Sequence, residues 1–208
     1  MDAQFYGANC IVFNTKQARV VIDDNLADLG KKSITKAGDI AVFTGAHGDV
    51  RDDLKITINQ PGEYEVSGIV IKGIAARGHM DEENAQNATI YKVTVDDLRI
   101  LVTGHIFPEL TDDELEEIGA VDVMFVPVGG HGYTLDGIGA LKLIKKVEPK
   151  LVVPTHYDSK SFSFPVPQYL LAEALQSLAM EPRETVGKLK IKGTDLGDTM
   201  QLIILEET

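Results

Sequence analysis

At 208 residues, 44% of them hydrophobic and 25% charged, the chain suits one domain with a core of two layers or more, and extensive disorder is excluded. A formal net charge of -12 without any dense run of Lys and Arg argues against non-specific nucleic-acid binding, although a metal cleft can still accept a phosphoester locally. No apolar run approaches the ~20 residues of a membrane span. The start Met1-Asp2-Ala3-Gln4 lacks the charge-then-apolar pattern of a signal peptide, and the lone Cys10 has no internal disulfide partner, so a cytoplasmic chain with no membrane partner is expected.

Taken in order, residues 5–14 and 19–23 predict an opening hairpin around Asn14-Thr15-Lys16-Gln17, with Ile11, Phe13, Val20 and Ile22 as core positions. Asp23 and Asp24 follow its second strand, either supporting a cleft from behind or lying solvated at a strand end. Residues 26–36 are polar and hold at most one helical turn. An apolar run over 40–43 then stops before Gly45 and hands over to a tight loop, 45–53, that sets His47 and Asp49 two residues apart. Gly45 and Gly48 give this loop the backbone freedom to turn both side chains inward as metal ligands. Taken alone, such a His-Gly-Asp is more often a surface turn than a ligand pair.

A dense β region follows over 54–58, 63–66, 69–75, 89–95 and 98–103, punctuated by Pro61-Gly62, Ser67-Gly68 and Asp96-Asp97. Tyr91, Val93 and Val95 alternate with Lys92 and Thr94, the pattern of a half-buried antiparallel strand. His79 lies in the polar loop 77–84 and matters only if that loop folds back over a cleft. Thr111-Asp112-Asp113-Glu114 is a capping box opening a helix that runs to Ile118 and ends at Gly119. Residues 123–128 read as a fully buried strand, 135–147 as an amphipathic helix with Thr134 as N-cap, and 151–154 as another buried strand. Pro167 opens a further helix with Leu171, Leu175 and Leu178 inward, and strands over 186–192 and 199–205 close the chain.

The five histidines are not scattered over these elements. His47, His105, His131 and His156 each follow the end of a predicted buried strand, three of them after a glycine or small residue. That is where strands deliver side chains into a cleft.

Several stretches carry a resemblance: Gln60-Pro61-Gly62-Glu63-Tyr64-Glu65-Val66, Val95-Asp96-Asp97-Leu98-Arg99-Ile100, Leu110-Thr111-Asp112-Asp113-Glu114-Leu115, Val126-Pro127-Val128-Gly129-Gly130 and Val153-Pro154-Thr155-His156-Tyr157. In this order they are similar to the small metal-dependent, lactonase-like hydrolase branch of the metallo-β-lactamase superfamily. The resemblance runs through nearly the whole chain. It implies an α/β fold, a four-layer αββα sandwich spanning residues 1–208 as one domain, with a metal cleft at one edge of two sheets.

The family's loop His-x-His-x-Asp-His falls on Gly45-Ala46-His47-Gly48-Asp49-Val50, so its second histidine and its aspartate are present while its first and third histidines are replaced. His79 resembles another ligand histidine in position, His105 stands where the family has a bridging aspartate, and His156 matches the last ligand. Ala8 follows Gly7 where a histidine is common. A complete family site holds two zinc-like ions that lower the pKa of a bound water to about 7. Here two imidazoles and the bridging carboxylate are missing, which disfavours two ions.

Two readings follow from this. In the first, Asp49, His105 and His156 hold one zinc, iron or manganese ion, with His47 or His79 as an extra ligand. Asp49 and His47 are then the catalytic groups, orienting the water that cleaves a small-molecule ester, lactone or phosphoester, and His131 lies at the substrate rim. In the second, the chain is a degenerate, metal-free relative without cofactor, acting as a binding or assembly module. Monomer and homo-oligomer both stay open, pairing through an edge strand or through the Phe- and Pro-rich segment 160–167.

Overall fold

A computed structural model describes residues 1–45 and 51–208. The first half supplies β1 (Asp2–Phe5), β2 (Ile11–Asn14), β3 (Arg19–Ile22), β4 (Ile40–Val42), β5 (Ile56–Ile58), β6 (Gly62–Val66), β7 (Ile69–Ala76), β8 (Ala88–Val95) and β9 (Leu98–Val102). Then come α1 (Asp112–Ile118), β10 (Val123–Pro127), α2 (Gly137–Val147), β11 (Leu151–Thr155), α3 (Leu171–Leu178), β12 (Glu184–Val186), β13 (Leu189–Lys190) and β14 (Gln201–Leu205). They build two sheets, ordered β13-β1-β2-β3-β4-β5 and β12-β14-β11-β10-β9-β8-β7-β6. Within each sheet, the strands that deliver the site share one direction. β3 and β4 are parallel and β1 runs the same way across the antiparallel β2, while β9, β10 and β11 are parallel and β7 joins them across the antiparallel β8.

The continuous apolar runs of β10 and β11 are buried on both faces, as parallel central strands require. Between the sheets Phe13 of β2 meets Phe125 of β10 at 5.4 Å between ring centroids, and Tyr91 of β8 is wholly buried. On the outer face of the larger sheet Leu101, Met124 and Val152 pack under Leu143, Ile144 and Leu178 of α2 and α3. The outer layer on the smaller sheet is thinner. There a single 3-10 turn, Leu26–Leu29, and the ring of Phe162 cover Cys10, Val12 and Val21. Among the described residues no helix is long and apolar enough to cross a membrane.

The capping box is present as predicted: Thr111 Oγ1 accepts from the Glu114 amide at 3.2 Å, and the Glu114 carboxylate accepts from the Thr111 amide at 2.7 Å. Other boundaries move for local reasons. The strand predicted over 5–14 breaks into β1 and β2 because Gly7 and Ala8 adopt φ of 96° and 48°. The helix expected from 135 starts at Gly137, capped by the Asp136 carboxylate on the Gly139 amide rather than by Thr134. The helix expected from Pro167 begins only at Leu171, and the run 186–192 divides into β12 and β13 in different sheets.

Asp122 ties β9, β10 and β11 together at their starts. Its buried carboxylate takes a bidentate contact from Arg99 at 2.8 and 2.9 Å, the Arg99 amide at 3.0 Å, and Lys150 at 3.4 Å. The Arg99 guanidinium, more than any other group, holds the carboxyl down at about 2, below the ordinary 3.8. Its contribution to stability is therefore complete above pH 3.8 and lost as the pH falls through about 2. Urea unfolding across this window is expected to show that loss, and Asp122→Asn to flatten part of the slope. An unchanged acid slope in the variant would remove the ion pair as its cause.

Candidate functional site

The shared strand direction brings several loops to one edge, where they enclose a cavity of about 490 Å³. Open sheets with parallel strands place ligands at this end, because side chains following different strands converge there. The smaller sheet contributes Ala8 and Asn9 after β1, Asp23 and Asn25 after β3, and Thr44 and Gly45 after β4. The larger sheet contributes His79 and Asp81 after β7, His105 after β9, Tyr133 after β10 and His156 after β11. A strap, residues 158–170, closes one side with Ser163, Phe164 and Pro165.

The centre of the cavity is a pair of imidazoles. The rings of His105 and His156 lie edge to face at 4.5 Å between centroids, with Tyr133 at 5.1 Å from His105 and Phe164 at 5.2 Å from His156. Burial, and then the neighbouring imidazoles of His156 and His79, hold His105 well below the ordinary 6.5. Burial carries His156 down to about 4 even though its hydrogen bond to Gln168 works the other way. Both rings are thus neutral near pH 7, the form in which imidazole serves as a metal ligand or base. His156 holds φ 54°, a left-handed conformation rare for a residue with a side chain, and its amide donates to Ala8 O at 2.8 Å. His79 joins through its backbone, its amide donating to His105 O at 2.8 Å.

Asp23, left open by the sequence between cleft support and solvated strand end, is 5% exposed. Its carboxylate accepts from the Thr44 amide at 2.7 Å and from the Thr44 hydroxyl at 2.6 Å, which fixes Thr44 just ahead of His47 and Asp49 in the sequence. Gly104 lets the other sheet close on that point, since a Cβ there would sit 2.2 Å from Thr44 Oγ1. Asp23, Asp28 and Asp81 line the cavity, and among the described residues no Lys or Arg does.

The structure therefore pairs His105 with His156 and places His79 on the lining of the same cavity. His47 and Asp49 lie outside the described residues. His131, expected at the substrate rim, is exposed and does not line the cavity; Gly130 and His131 at φ 69° and 55° turn the chain outward, and the imidazole stacks on Tyr169 at 4.1 Å. Phe162 and Phe164, in the segment considered for pairing between chains, turn inward onto Cys10 and its neighbours and onto His156. Sequence reasoning missed Gln168, Tyr133 and Asn9, none of which sits in a recognisable motif. Among the described residues no group of three or more His, Cys, Asp or Glu is arranged to hold a metal ion.

Comparison with known proteins agrees with this architecture. A model of the beta-lactamase superfamily domain matches residues 2–156. Curated relatives include UPF0173 metal-dependent hydrolases of Thermoplasma acidophilum, 31% identical over 50% of this chain and 46% of the relative, and of Pyrococcus horikoshii, 30% identical over 59% and 60%. The matches thus span about half the length of the curated relatives. Among solved structures, a Thermotoga maritima protein assigned to the Zn-dependent hydrolases of the metallo-beta-lactamase superfamily aligns at TM-score 0.74 with 20% identity, covering 99% of this chain and 98% of that one. The metallo hydrolase Igni18 of Ignicoccus hospitalis aligns at 0.63 with 19% identity, covering 99% and 94%. With its paired sheets, its cavity at their common edge and a family match over most of its length, this chain belongs to the metallo-β-lactamase superfamily.

Proposed function

We propose that the chain hydrolyses a small ester, lactone or phosphoester using at most one divalent metal ion, held by His105, His156 and Asp49. The observation that carries this reading is the juxtaposition of the two neutral imidazoles at 4.5 Å in the cavity. Their donor chemistry fits zinc, iron or manganese, and the name of the relatives as metal-dependent hydrolases supports a metal. A second ion does not fit. Ala8, Gly45 and Val50 offer no donor where the family has histidines, and His105 brings no negative charge where the family has a bridging aspartate. When bound, the ion supplies Lewis acidity and an activated water.

The chain's own groups do the rest. Asp23 fixes Thr44, just ahead of His47 and Asp49 in the sequence, and these two would orient the attacking water. Tyr133 and Phe164 wall the substrate from solvent, and His79 lines the same cavity outside the ligand set. A soluble, cytoplasmic setting with a small-molecule substrate is consistent with this reading.

A second reading, a metal-free binding module, is favoured by one observation: the rings of His105, His156, Tyr133 and Phe164 pack on one another as an aromatic wall would. Elemental analysis of protein purified without chelator separates the two. Roughly one ion per chain, lost in an Asp49→Ala, His156→Ala variant, is expected, together with cleavage of at least one class in a panel of esters, lactones and phosphodiesters. Metal-free protein whose melting temperature does not rise with zinc would overturn the first reading, because a ligand at 1,000 times its Kd stabilises by about 4 kcal/mol.

A further inference from the structure

Gln168 is a buried amide, 7% exposed, on a strap that otherwise lies mostly at the surface. Its two ends make different contacts. One amide atom lies 2.7 Å from Val166 O and the other 3.1 Å from His156 Nδ1. A backbone carbonyl only accepts, so the atom facing Val166 must be the Nε2 donor. Oε1 therefore faces His156, and because Oε1 only accepts, the Nδ1 of a neutral His156 must carry the ring proton. The remaining lone pair then sits on Nε2.

The surroundings are built to keep this arrangement. A Cβ at Gly129 would come within 2.1 Å of both Gln168 Oε1 and His156 O, so the space the amide occupies exists only because residue 129 is glycine. The strap is registered there by its backbone, with the Tyr169 amide donating to Gly129 O at 2.8 Å and the Asp158 amide donating to Tyr169 O at 2.9 Å. Fixed in this way, the strap cannot present a different atom to His156 without unzipping.

We propose that Gln168 is a positioning residue: it holds His156 as the Nδ1–H tautomer, leaves Nε2 as the ligating atom, and thereby sets the affinity of the cavity for a divalent metal ion. The metal half of this rests on the proposed function; the tautomer half does not. Partners that orient a ligand histidine in this way are worth roughly 10–100-fold in metal affinity.

Long-range proton–nitrogen correlation spectra of 15N-labelled protein read the tautomer directly. At pH 7, with no metal added, His156 is expected to be protonated on Nδ1. Gln168→Leu should release it to a mixture of tautomers and weaken zinc binding, followed by calorimetry, by roughly 10–100-fold. Gln168→Glu, which still accepts from Nδ1 but cannot donate to Val166 O, should keep the tautomer and most of the affinity. A merely structural role would let both variants lose stability and leave the ring proton where it was. The proposal is overturned if wild-type His156 carries its proton on Nε2, or if Gln168→Leu changes neither tautomer nor affinity. Should Gln168→Leu fail to fold, the wild-type and Gln168→Glu spectra still decide it. If the wild type binds no zinc but shows the Nδ1–H form, the ligand assignment falls and the tautomer latch stands.

Discussion

Gly129→Ala is expected to destabilise the protein by about 3 kcal/mol or more and to lower its melting temperature by roughly 10 °C for a chain of this size. The reason is contact rather than backbone conformation, since Gly129 is absent from the positions with positive φ. An added Cβ would lie 2.1 Å from His156 O and 2.1 Å from Gln168 Oε1. A side-chain amide could swing away. The carbonyl of His156 could not, because it belongs to the end of β11, whose Thr155 O accepts from the Val128 amide at 2.9 Å, and to a residue whose own amide is fixed on Ala8 O. Relief requires moving the end of a central strand, and the imidazole pair moves with it. Gly193→Ala is the control, because a Cβ there meets nothing within 4 Å; it should stay within about 0.5 kcal/mol of wild type. Comparable melting temperatures for the two variants would refute the close packing described around residue 129.

The reach of the sequence into this site was uneven, and particular residues show why. His105 and His156 could be placed because β9 and β11 are apolar runs that end abruptly, and a buried parallel strand has few other ways to finish. The helix at Asp112–Ile118 was legible because its cap chemistry is local. His131 had the same local pattern, a buried strand followed by glycine and histidine, but the left-handed turn at Gly130 and His131 sends it outward onto Tyr169. Nothing within a few residues of His131 distinguishes it from His105. Pro167 looked like a helix start because proline suits that position. Residues 158–170 instead run as a strap, held by hydrogen bonds to Gly129 and across the strap itself, and those partners are not readable from spacing. Gln168 was missed for the same reason. The metal donors proposed for residues 47 and 49 rest on the family resemblance, with His105 and His156 supplying the geometry around them.

Asp23→Ala is expected to cost about 3–5 kcal/mol, measured by urea unfolding, whereas Asp23→Asn costs less than half of that. Two effects add. Thr44 would keep a buried amide and a buried hydroxyl whose acceptor has gone, each worth about 1–3 kcal/mol when left unmade. Residue 23 also holds φ 47°, where Asp and Asn are tolerated and Ala is strained by about 1 kcal/mol or more. Asn keeps the conformation and one carbonyl acceptor, and the Thr44 hydroxyl can rotate to accept from its amide. The consequence for the site runs beyond stability. Thr44 lies against Gly104 at the junction of the two sheets, and His47 and Asp49 follow it closely in the sequence, so losing the Asp23 anchor is expected to act on them as well. If Asp49 shares an ion with His105 and His156, Asp23→Ala should weaken zinc binding far more than Asp23→Asn does, measured below the unfolding transition. Stability within about 0.5 kcal/mol of wild type for Asp23→Ala would show that the Thr44 contacts do not anchor this edge of the fold. Loss of stability with unchanged zinc affinity would detach Asp49 from the ligand set and leave the imidazole pair to account for binding.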